Sequence, residues 1–238
     1  MKKIASILVL AFITISISAQ SLIPIKFGIK VGTNISNITS IPNKGVKNIE
    51  KSAINGIAGG FYVEVAINDK WYLNPELVYS QKGASFTYEY THNYDVNQSD
   101  VHNTLNELKL PYIEFNPTIS YKATDKLALN FGPSFSFILT PDYNVISDNG
   151  QNVSPHPDLP VGAYKEETID FGLNLGFSYY LSEKILINSS VNTSFLKAGT
   201  ISKLTNTGLV NGSQVNDPET NTYEIKNNVI SFSFAYLL

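Results

Sequence analysis

Apolar and polar residues alternate along most of this chain, and the alternation is clearest in residues 108–140. In the second half of that stretch one parity is apolar, namely Leu127, Leu129, Phe131, Pro133, Phe135, Phe137 and Leu139, and the other parity is small and polar. A period of two indicates a β-strand whose two faces have different surroundings. The polar residues 122–126 separate the two halves, so the stretch predicts a β-hairpin. Arms of about ten residues are long for a soluble strand and match a tilted strand that crosses a bilayer.

The same alternation recurs in eight segments, and the connections between them alternate in length. The strands are predicted at 25–36, 57–67, 71–86, the two arms of the 108–140 hairpin, 168–181, 185–195 and a segment ending at residue 238. The connections after the second, fourth and sixth strands are short, and the others are long, spanning 37–55, 87–107, 141–167 and 198–223. Outer-membrane barrels have short periplasmic turns and long extracellular loops. We therefore predict an all-β fold, an eight-stranded antiparallel up-and-down transmembrane β-barrel, with a soluble lipocalin-like barrel as the alternative.

The apolar parity is expected to face lipid, because no Lys, Asp or Glu lies on it in the middle of a predicted strand. A lysine at the bilayer midplane costs a lipid-facing strand about 2 to 4 kcal/mol. The aromatic residues Trp71, Tyr121, Tyr179 and Tyr236 share this parity, each close to a short turn or to the C-terminus. They predict an aromatic girdle at the periplasmic boundary of the membrane. Outer-membrane lipid is thus an expected partner, and the barrel is expected to be a monomer.

The polar parity then lines the interior, where it carries two lysines and four carboxylates: Lys30, Glu64, Glu76, Lys82, Glu114 and Asp170. Side chains just fill the interior of an eight-stranded barrel, so we expect a structural, salt-bridged cluster. A cation path or proton relay is the alternative. Pro75, Pro117 and Pro133 interrupt predicted strands, and a bulge or local irregularity is expected at one or more of them.

The N-terminus predicts a signal peptide over residues 1–19 and a barrel domain over residues 20–238. Lys2 and Lys3 precede an apolar run from residue 4 to about residue 17, and Ser18 and Ala19 offer a small-residue cleavage site. Because Ile17 is not a small residue, the position of the cut stays open. Export by this route implies that assembly machinery handles the chain during its insertion.

Composition excludes several kinds of function. The net charge is -3, which gives no field for a polyanion, so nucleic acid is not an expected partner. All 17 basic residues are lysines, and the chain has no cysteine for a disulfide or a thiolate site. The histidines His92, His102 and His156 fall in the long connections without a metal-binding spacing, so neither a metal nor a cofactor is expected.

Two sets of residues in the connection 87–107 carry competing interpretations. His92, Asp95 and Ser99 could serve an outer-rim acyltransferase or protease, but nothing in their spacing orders a base against a nucleophile, and we expect no enzyme. The tyrosine-rich run 88–94 extends the third strand past the membrane. We interpret it as an outer aromatic belt that continues into a polar hairpin, the alternative being a glycan-stacking or adhesive edge.

Several motifs occur in an order that resembles the PorT-like outer-membrane β-barrel proteins. They are FGIKVGTNIS at 27–36, NPELVYSQKG at 74–83, TDK at 124–126 followed by Gly132 and Pro133, and FGL at 171–173. The resemblance implies an OmpA/OmpX-type, porin-family barrel in the outer membrane of a Gram-negative bacterium. It leaves the activity open, since some members of the family are linked to secretion or gliding and others are described only as porin-like.

We therefore expect a structural or binding role through the extracellular loops, with an unidentified extracellular or envelope partner and a link to secretion or envelope function. A narrow porin-like channel and an outer-rim enzyme are the alternatives.

Overall fold

The computed structural model describes residues 24–42, 50–95, 98–152, 164–202, 206–210, 213–217 and 222–238. Eight long strands form its wall: β1 (Ile25–Pro42), β2 (Ile54–Ala66), β3 (Trp71–Asp95), β4 (Gln98–Lys122), β5 (Leu127–Ile138), β6 (Ile169–Tyr180), β7 (Ile185–Ser194) and β8 (Thr222–Leu237). The predicted signal peptide lies outside the described residues. Among those residues, no helix is long and apolar enough to span a bilayer.

The eight strands form a closed ring in which every wall strand pairs antiparallel with both of its neighbours. The ring closes between the first strand and the last, from Gly28 opposite Leu237 to Pro42 opposite Tyr223. Closure gives every wall strand a partner on both sides and leaves no open edge in the wall, as hydrocarbon requires. The predicted all-β, eight-stranded up-and-down barrel is confirmed.

The two faces of the wall are as different as the alternation indicated. On β2, Phe61 is 66% exposed, whereas the next residue, Tyr62, is 3% exposed. Outward positions on the other strands carry large apolar side chains, among them Val31, Leu77, Phe131, Leu175, Val191 and Phe234. Exposing these side chains to water would be unfavourable in free energy, whereas contact with lipid chains is favourable. The polar parity accordingly faces the interior.

The three short turns are built alike. Asn68, Thr124 and Ser182 each use a side-chain oxygen to accept hydrogen bonds from the backbone N–H groups two and three residues later, at 3.0 to 3.3 Å. Such local bonds from Asn, Thr and Ser stabilise tight turns. An acidic residue and then a lysine follow the capping residue in every case. The sequence predicted short turns at these places, and the structure shows that they share one geometry.

The connection 87–107 is not an open loop, and the interpretation that the third strand continues past the membrane into a hairpin is confirmed. β3 instead continues to Asp95 and β4 begins at Gln98, and the two strands pair from Trp71 opposite Tyr121 to Asp95 opposite Gln98. Each strand has 25 residues, which is about 80 Å of extended chain, whereas about 9 to 11 residues cross a bilayer. More than half of this hairpin therefore stands beyond the membrane. The end of the third strand was set at residue 86 because the apolar alternation stops where the hairpin leaves the membrane, although the backbone continues to pair.

The other long connections also contain strands, which corrects their prediction as loops. β1 itself extends to Pro42, and the short strands Glu50–Ser52, Asp142–Asp148, Gln151–Asn152, Tyr164–Glu166, Gly199–Ser202, Asn206–Val210 and Ser213–Asp217 add to the outer end of the wall. Asp142–Asp148 pairs with β4 over Thr104 to Lys109, and Glu50–Ser52 pairs with β3. The wall of the barrel thus continues beyond the membrane at its outer end. We call this part the raised outer sheet, and its β3–β4 portion the raised hairpin.

The strand prolines are accommodated without a bulge. Pro75 lies opposite Pro117 in the β3–β4 ladder, and the register is the same on both sides of the pair. Between β4 and β5 the ladder is interrupted from Asn116 to Thr118, opposite Pro133 and its neighbours, and then resumes in the same register. The expected bulge or local irregularity is therefore confirmed, and it takes the form of this gap in the ladder. Because a residue in an antiparallel ladder bonds to only one neighbouring strand, a missing N–H removes one bond and leaves the register intact.

Candidate functional site: the barrel interior and the outer rim

The interior of the barrel is divided into three layers. An inner plug at the short-turn end consists of Tyr62, Ala128, Tyr180, Leu186, Ala235 and Leu237. An outer plug at the opposite end consists of Ile38, Ala84, Phe86, Leu108, Leu110, Tyr112, Ala198, Ile201, Tyr223 and Ile225. A polar layer lies between them.

Two lysine–carboxylate pairs cross the polar layer. Lys30 Nζ contacts both oxygens of Glu76, at 2.8 and 2.9 Å. Lys82 Nζ lies 2.6 Å from Glu114 Oε1, donates to Asn192 Oδ1 at 3.2 Å, and sits over the Tyr112 ring at 4.9 Å from its centroid. Lys82 is 1% exposed. A buried charge of this kind is tolerated only where its partners are in place.

The other two predicted interior carboxylates lie at the edges of the polar layer. Glu64 accepts a 2.5 Å hydrogen bond from the Tyr180 hydroxyl in the inner plug, and Lys26 approaches it at 3.8 Å from the periplasmic mouth. Asp170 accepts hydrogen bonds from Ser194 at 2.7 Å and from Asn227 at 3.2 Å, beneath the outer plug. The six predicted residues therefore all face the interior. Four of them form the two lysine–carboxylate pairs of the polar layer, and Glu64 and Asp170 lie at its two edges.

A cavity of about 60 Å³ lies within the polar layer. Its lining includes both lysine–carboxylate pairs and several amides, among them Asn34, Asn116 and Asn188. Asn116 Oδ1 and Asn188 Nδ2 are buried without a protein hydrogen-bond partner. The cavity has room for several waters, which would satisfy these groups.

The four aromatic residues of the predicted girdle all face outward near the short-turn end. The Trp71 and Tyr121 rings are 4.9 Å apart. Tyr179 and Tyr236 are exposed on the outer face, and Lys184 lies 6.0 Å from the centre of the Tyr236 ring. Their placement suits an interfacial anchor, and their role as a membrane girdle stays a prediction.

At the outer rim the structure describes the backbone of some predicted residues and shows one histidine–aspartate contact that the sequence did not indicate. His92, Asp95 and Ser99 lie on the backbone of β3 and β4, but their side chains are outside the described part, as is all of His156. His102 Nδ1 lies 2.6 Å from Asp148 Oδ2. This pair joins β4 to the strand Asp142–Asp148, a neighbour that sequence reasoning took for a loop. Among the described residues, no group of His, Cys, Asp and Glu could hold a metal ion.

Burial and pairing at the outer end shift the pKa of three groups. Burial raises the pKa of Tyr164, whose hydroxyl donates to the Ala198 carbonyl oxygen at 2.9 Å, and burial also raises the pKa of Tyr223. The hydrogen bond to Glu107 raises the pKa of Lys109. The tyrosines are therefore neutral parts of the outer plug and its edge, whereas Lys109 and Glu107 form an ion pair on the outside of the wall.

A closed ring with apolar residues outside and a packed polar interior defines an integral β-barrel of the outer membrane. A family model described as the outer membrane protein beta-barrel domain matches residues 18–198. The chain belongs to this family, and the protein is located in the outer membrane.

Among solved structures, the chain is similar to Neisserial surface protein A, with 12% identity over 88% of this chain and 96% of that chain and a TM-score of 0.45. It is also similar to the attachment invasion locus protein Ail of Yersinia pestis, with 12% identity over 90% and 98% and a TM-score of 0.39. OprG of Pseudomonas aeruginosa gives 14% identity over 91% and 94% and a TM-score of 0.39. A comparison with curated proteins found no match. At these identities the similarity concerns the fold alone.

Proposed function

We propose that this protein is a barrel closed to solutes that acts at the cell surface, in a structural or binding role carried by the wall beyond the membrane. The observation that carries the proposal is the pair of apolar plugs on either side of the polar layer. Leu186 and Leu237 in the inner plug and Leu108 and Leu110 in the outer plug are all 0% exposed. A hydrated ion would have to cross both plugs.

The polar layer adds to this closure. Its lysines are held by carboxylates at 2.6 to 2.9 Å, and the cavity between them has a volume of about 60 Å³. Side chains just fill an eight-stranded barrel. We therefore favour a closed interior over the narrow porin-like channel.

The raised outer sheet supports a role at the surface. The β3–β4 hairpin is braced by the His102–Asp148 contact and by Phe86, whose ring stacks on Tyr143 with centroids 5.6 Å apart. A surface that is already ordered loses less conformational entropy when it binds a partner. The hairpin is thus suited to present a fixed face to an extracellular or envelope partner.

We propose a role without catalysis. The His102–Asp148 pair supplies an imidazole and a carboxylate, but it also joins β4 to its neighbouring strand, which accounts for the pair structurally. Acyl transfer or proteolysis would in addition need a nucleophile ordered against the imidazole. The PorT-like motifs favour a finer proposal, namely that the surface role belongs to secretion or another envelope process.

Planar-bilayer recording of the purified full-length barrel tests the closed interior. We expect no single-channel steps from the wild type. A variant with Leu108→Ala and Leu110→Ala in the outer plug and Leu186→Ala and Leu237→Ala in the inner plug is the matched control, because it cuts back both plugs in the same wall and shows that insertion would be detected. Reproducible steps from the wild-type barrel would contradict the proposal.

The surface role is tested separately by photo-crosslinking in living cells. A photoreactive residue replaces Asp100, which is exposed on the raised hairpin, and a matched probe replaces Val31, which faces lipid. We expect a discrete protein or glycan adduct from position 100 that position 31 does not produce. The same adducts from both positions, or none from position 100, would argue against a partner at the hairpin.

A further inference from the structure

Asp170 is the interior carboxylate that has no lysine among the ion pairs of the described residues. Glu76 is paired with Lys30, Glu114 with Lys82, and Glu64 is approached by Lys26. Asp170 is 1% exposed. An isolated ionised carboxylate is costly to bury, so one positive charge is missing from this part of the barrel.

Two buried oxygens at Asp170 and its neighbour Asn227 also lack a hydrogen-bond donor. Ser194 Oγ donates to Asp170 Oδ2 at 2.7 Å, and Asn227 Nδ2 donates to the same oxygen at 3.2 Å. Asp170 Oδ1 is buried without a partner, and so is Oδ1 of Asn227, a residue that is 0% exposed. An ionised carboxylate and an amide oxygen only accept hydrogen bonds. The carboxyl and amide groups thus meet through one bond and leave one oxygen each without a donor.

We propose that Asp170 is a proton-binding site, at which the neutral carboxylic acid donates from Oδ1 to Asn227 Oδ1 and so closes a ring of two hydrogen bonds. The single proton supplies both the missing charge and the missing donor. It comes from water, is held on Oδ1, and requires no other reactant. The inference concerns the protonation of the interior and is independent of whether the barrel conducts.

Exchanging the two ends of the Asn227 amide, whose orientation is assigned from its neighbours, gives the competing ionised arrangement. The Tyr112 hydroxyl would then donate to the amide oxygen at 2.6 Å, and the amide nitrogen would take the place of the oxygen that faces Asp170 Oδ1. The carboxyl measurements below distinguish the two arrangements, because only the proposed one holds a neutral acid.

Lys82 on β3 and Glu114 on β4 are the charged groups of the described residues that act on Asp170, and they act in opposite directions. Lys82 is bound to Glu114 at 2.6 Å and to Asn192 at 3.2 Å, so its charge is shared. Tyr112 on β4 and Tyr164 before β6 are uncharged hydroxyls. The neighbouring strands β5, β7 and β8 contribute the uncharged Ser136, Ser194 and Asn227.

The site lies directly beneath the outer plug and ties four strands together. Asn227 on β8 also donates to the hydroxyl of Tyr112, a plug residue on β4, while Asp170 and Ser194 belong to β6 and β7. A proton on Asp170 keeps the underside of the plug uncharged. Loss of that proton places a negative charge there, next to the carboxylate of Glu114, and should loosen the plug.

Infrared spectroscopy of the full-length barrel in lipid vesicles at pH 7 tests the site. We expect the carbonyl-stretch band of a protonated carboxylic acid in the wild type. Asp170→Asn, which keeps the shape and the neutral charge, should fold and lose this band. The matched control Glu64→Gln removes a different interior carboxyl group and should keep it.

A second measurement needs no variant. With aspartate selectively labelled with ¹³C in the wild type, the carboxyl chemical shift of one interior aspartate should be that of the neutral acid at pH 7. Absence of the band together with ionised shifts for every aspartate would overturn the proposal. If thermal stability then depended on sodium compared with a bulky organic cation, a metal cation and not a proton would be the ligand.

Discussion

The outer plug and the polar layer are built by the same strands a few residues apart, yet they are stabilised in different ways. β3 contributes Lys82 to the polar layer and Phe86 to the plug, and β4 contributes Glu114 and Leu110. The plug gains stability from each apolar group in proportion to its buried area. The polar layer is stable only as matched pairs, because a buried charge without its partner is more costly than a missing apolar contact. The plug should therefore tolerate single changes better than the polar layer does.

The largest expected effect is that of Lys82→Met. The change leaves Glu114, which is 5% exposed, without its lysine. Breaking a buried pair in this way lowers the free energy of unfolding by about 3 to 5 kcal/mol. Urea unfolding of the barrel in lipid vesicles, followed by tryptophan fluorescence of Trp71, measures the loss.

The matched control is the double variant Lys82→Met with Glu114→Leu. Replacing both charges with apolar groups is often neutral, so most of the lost stability should return. A double variant as unstable as the single one would mean that the unpaired charge is not the cause, and the contrast between the two layers would disappear.

A smaller loss is expected from Leu110→Ala in the outer plug. Leu110 is 0% exposed, and removing its buried carbons should cost about 2 to 3 kcal/mol through lost transfer free energy and a cavity. Leu129→Ala is the comparison on the lipid face, where the side chain is 50% exposed. Lipid chains fill the space there, so only the transfer part should be lost. Equal losses at the two sites in urea unfolding would show that the plug is not tightly packed.

Alkaline pH should act on the edge of the plug through Tyr164. Burial raises the pKa of Tyr164 in the folded protein above its unfolded value of about 10. The neutral form is therefore favoured by folding, and its contribution is complete below about pH 10 and is lost as the pH rises toward the folded pKa. Between pH 10 and 11 Tyr164→Phe should reduce the fall in the free energy of unfolding by about 1 kcal/mol. An unchanged pH slope in the variant would show that Tyr164 ionises as freely in the barrel as in the unfolded chain.

The smallest effect is expected at the turns, away from both layers. Thr124→Ala removes the hydroxyl that accepts from the N–H groups of Lys126 and Leu127, at 3.3 and 3.0 Å. The loss should be about 1 kcal/mol or less, because water replaces an exposed hydrogen bond. Thr124→Ser keeps the hydroxyl and should be close to wild type in the same unfolding assay. A loss as large as that of Leu110→Ala would mean that turn geometry, and not the interior, limits stability.

The sequence by itself determined the number of wall strands, the position of the short turns and which residues share a face. Neighbouring side chains of a strand point to opposite sides, so Phe131 and Asn130 lie on different faces whatever the other strands do. The lengths of the connections and the absence of charges from the apolar parity then assigned the apolar face to lipid. The six interior charges were identifiable on the same ground.

Which of those charges meet was decided only by the tertiary structure. Lys30 and Glu76 are 46 residues apart in the sequence, and their contact depends on the register of the strands around the closed ring, which no local pattern contains. The two plugs arise in the same way, since Leu237 and Tyr62 become neighbours only when β8 closes on β1. The full length of the β3–β4 hairpin was also decided by the tertiary structure, although the sequence indicated that β3 continues past the membrane. Beyond the membrane the hairpin is held by backbone pairing and by contacts such as His102–Asp148 and Phe86–Tyr143, which leave no mark on the alternation of side chains.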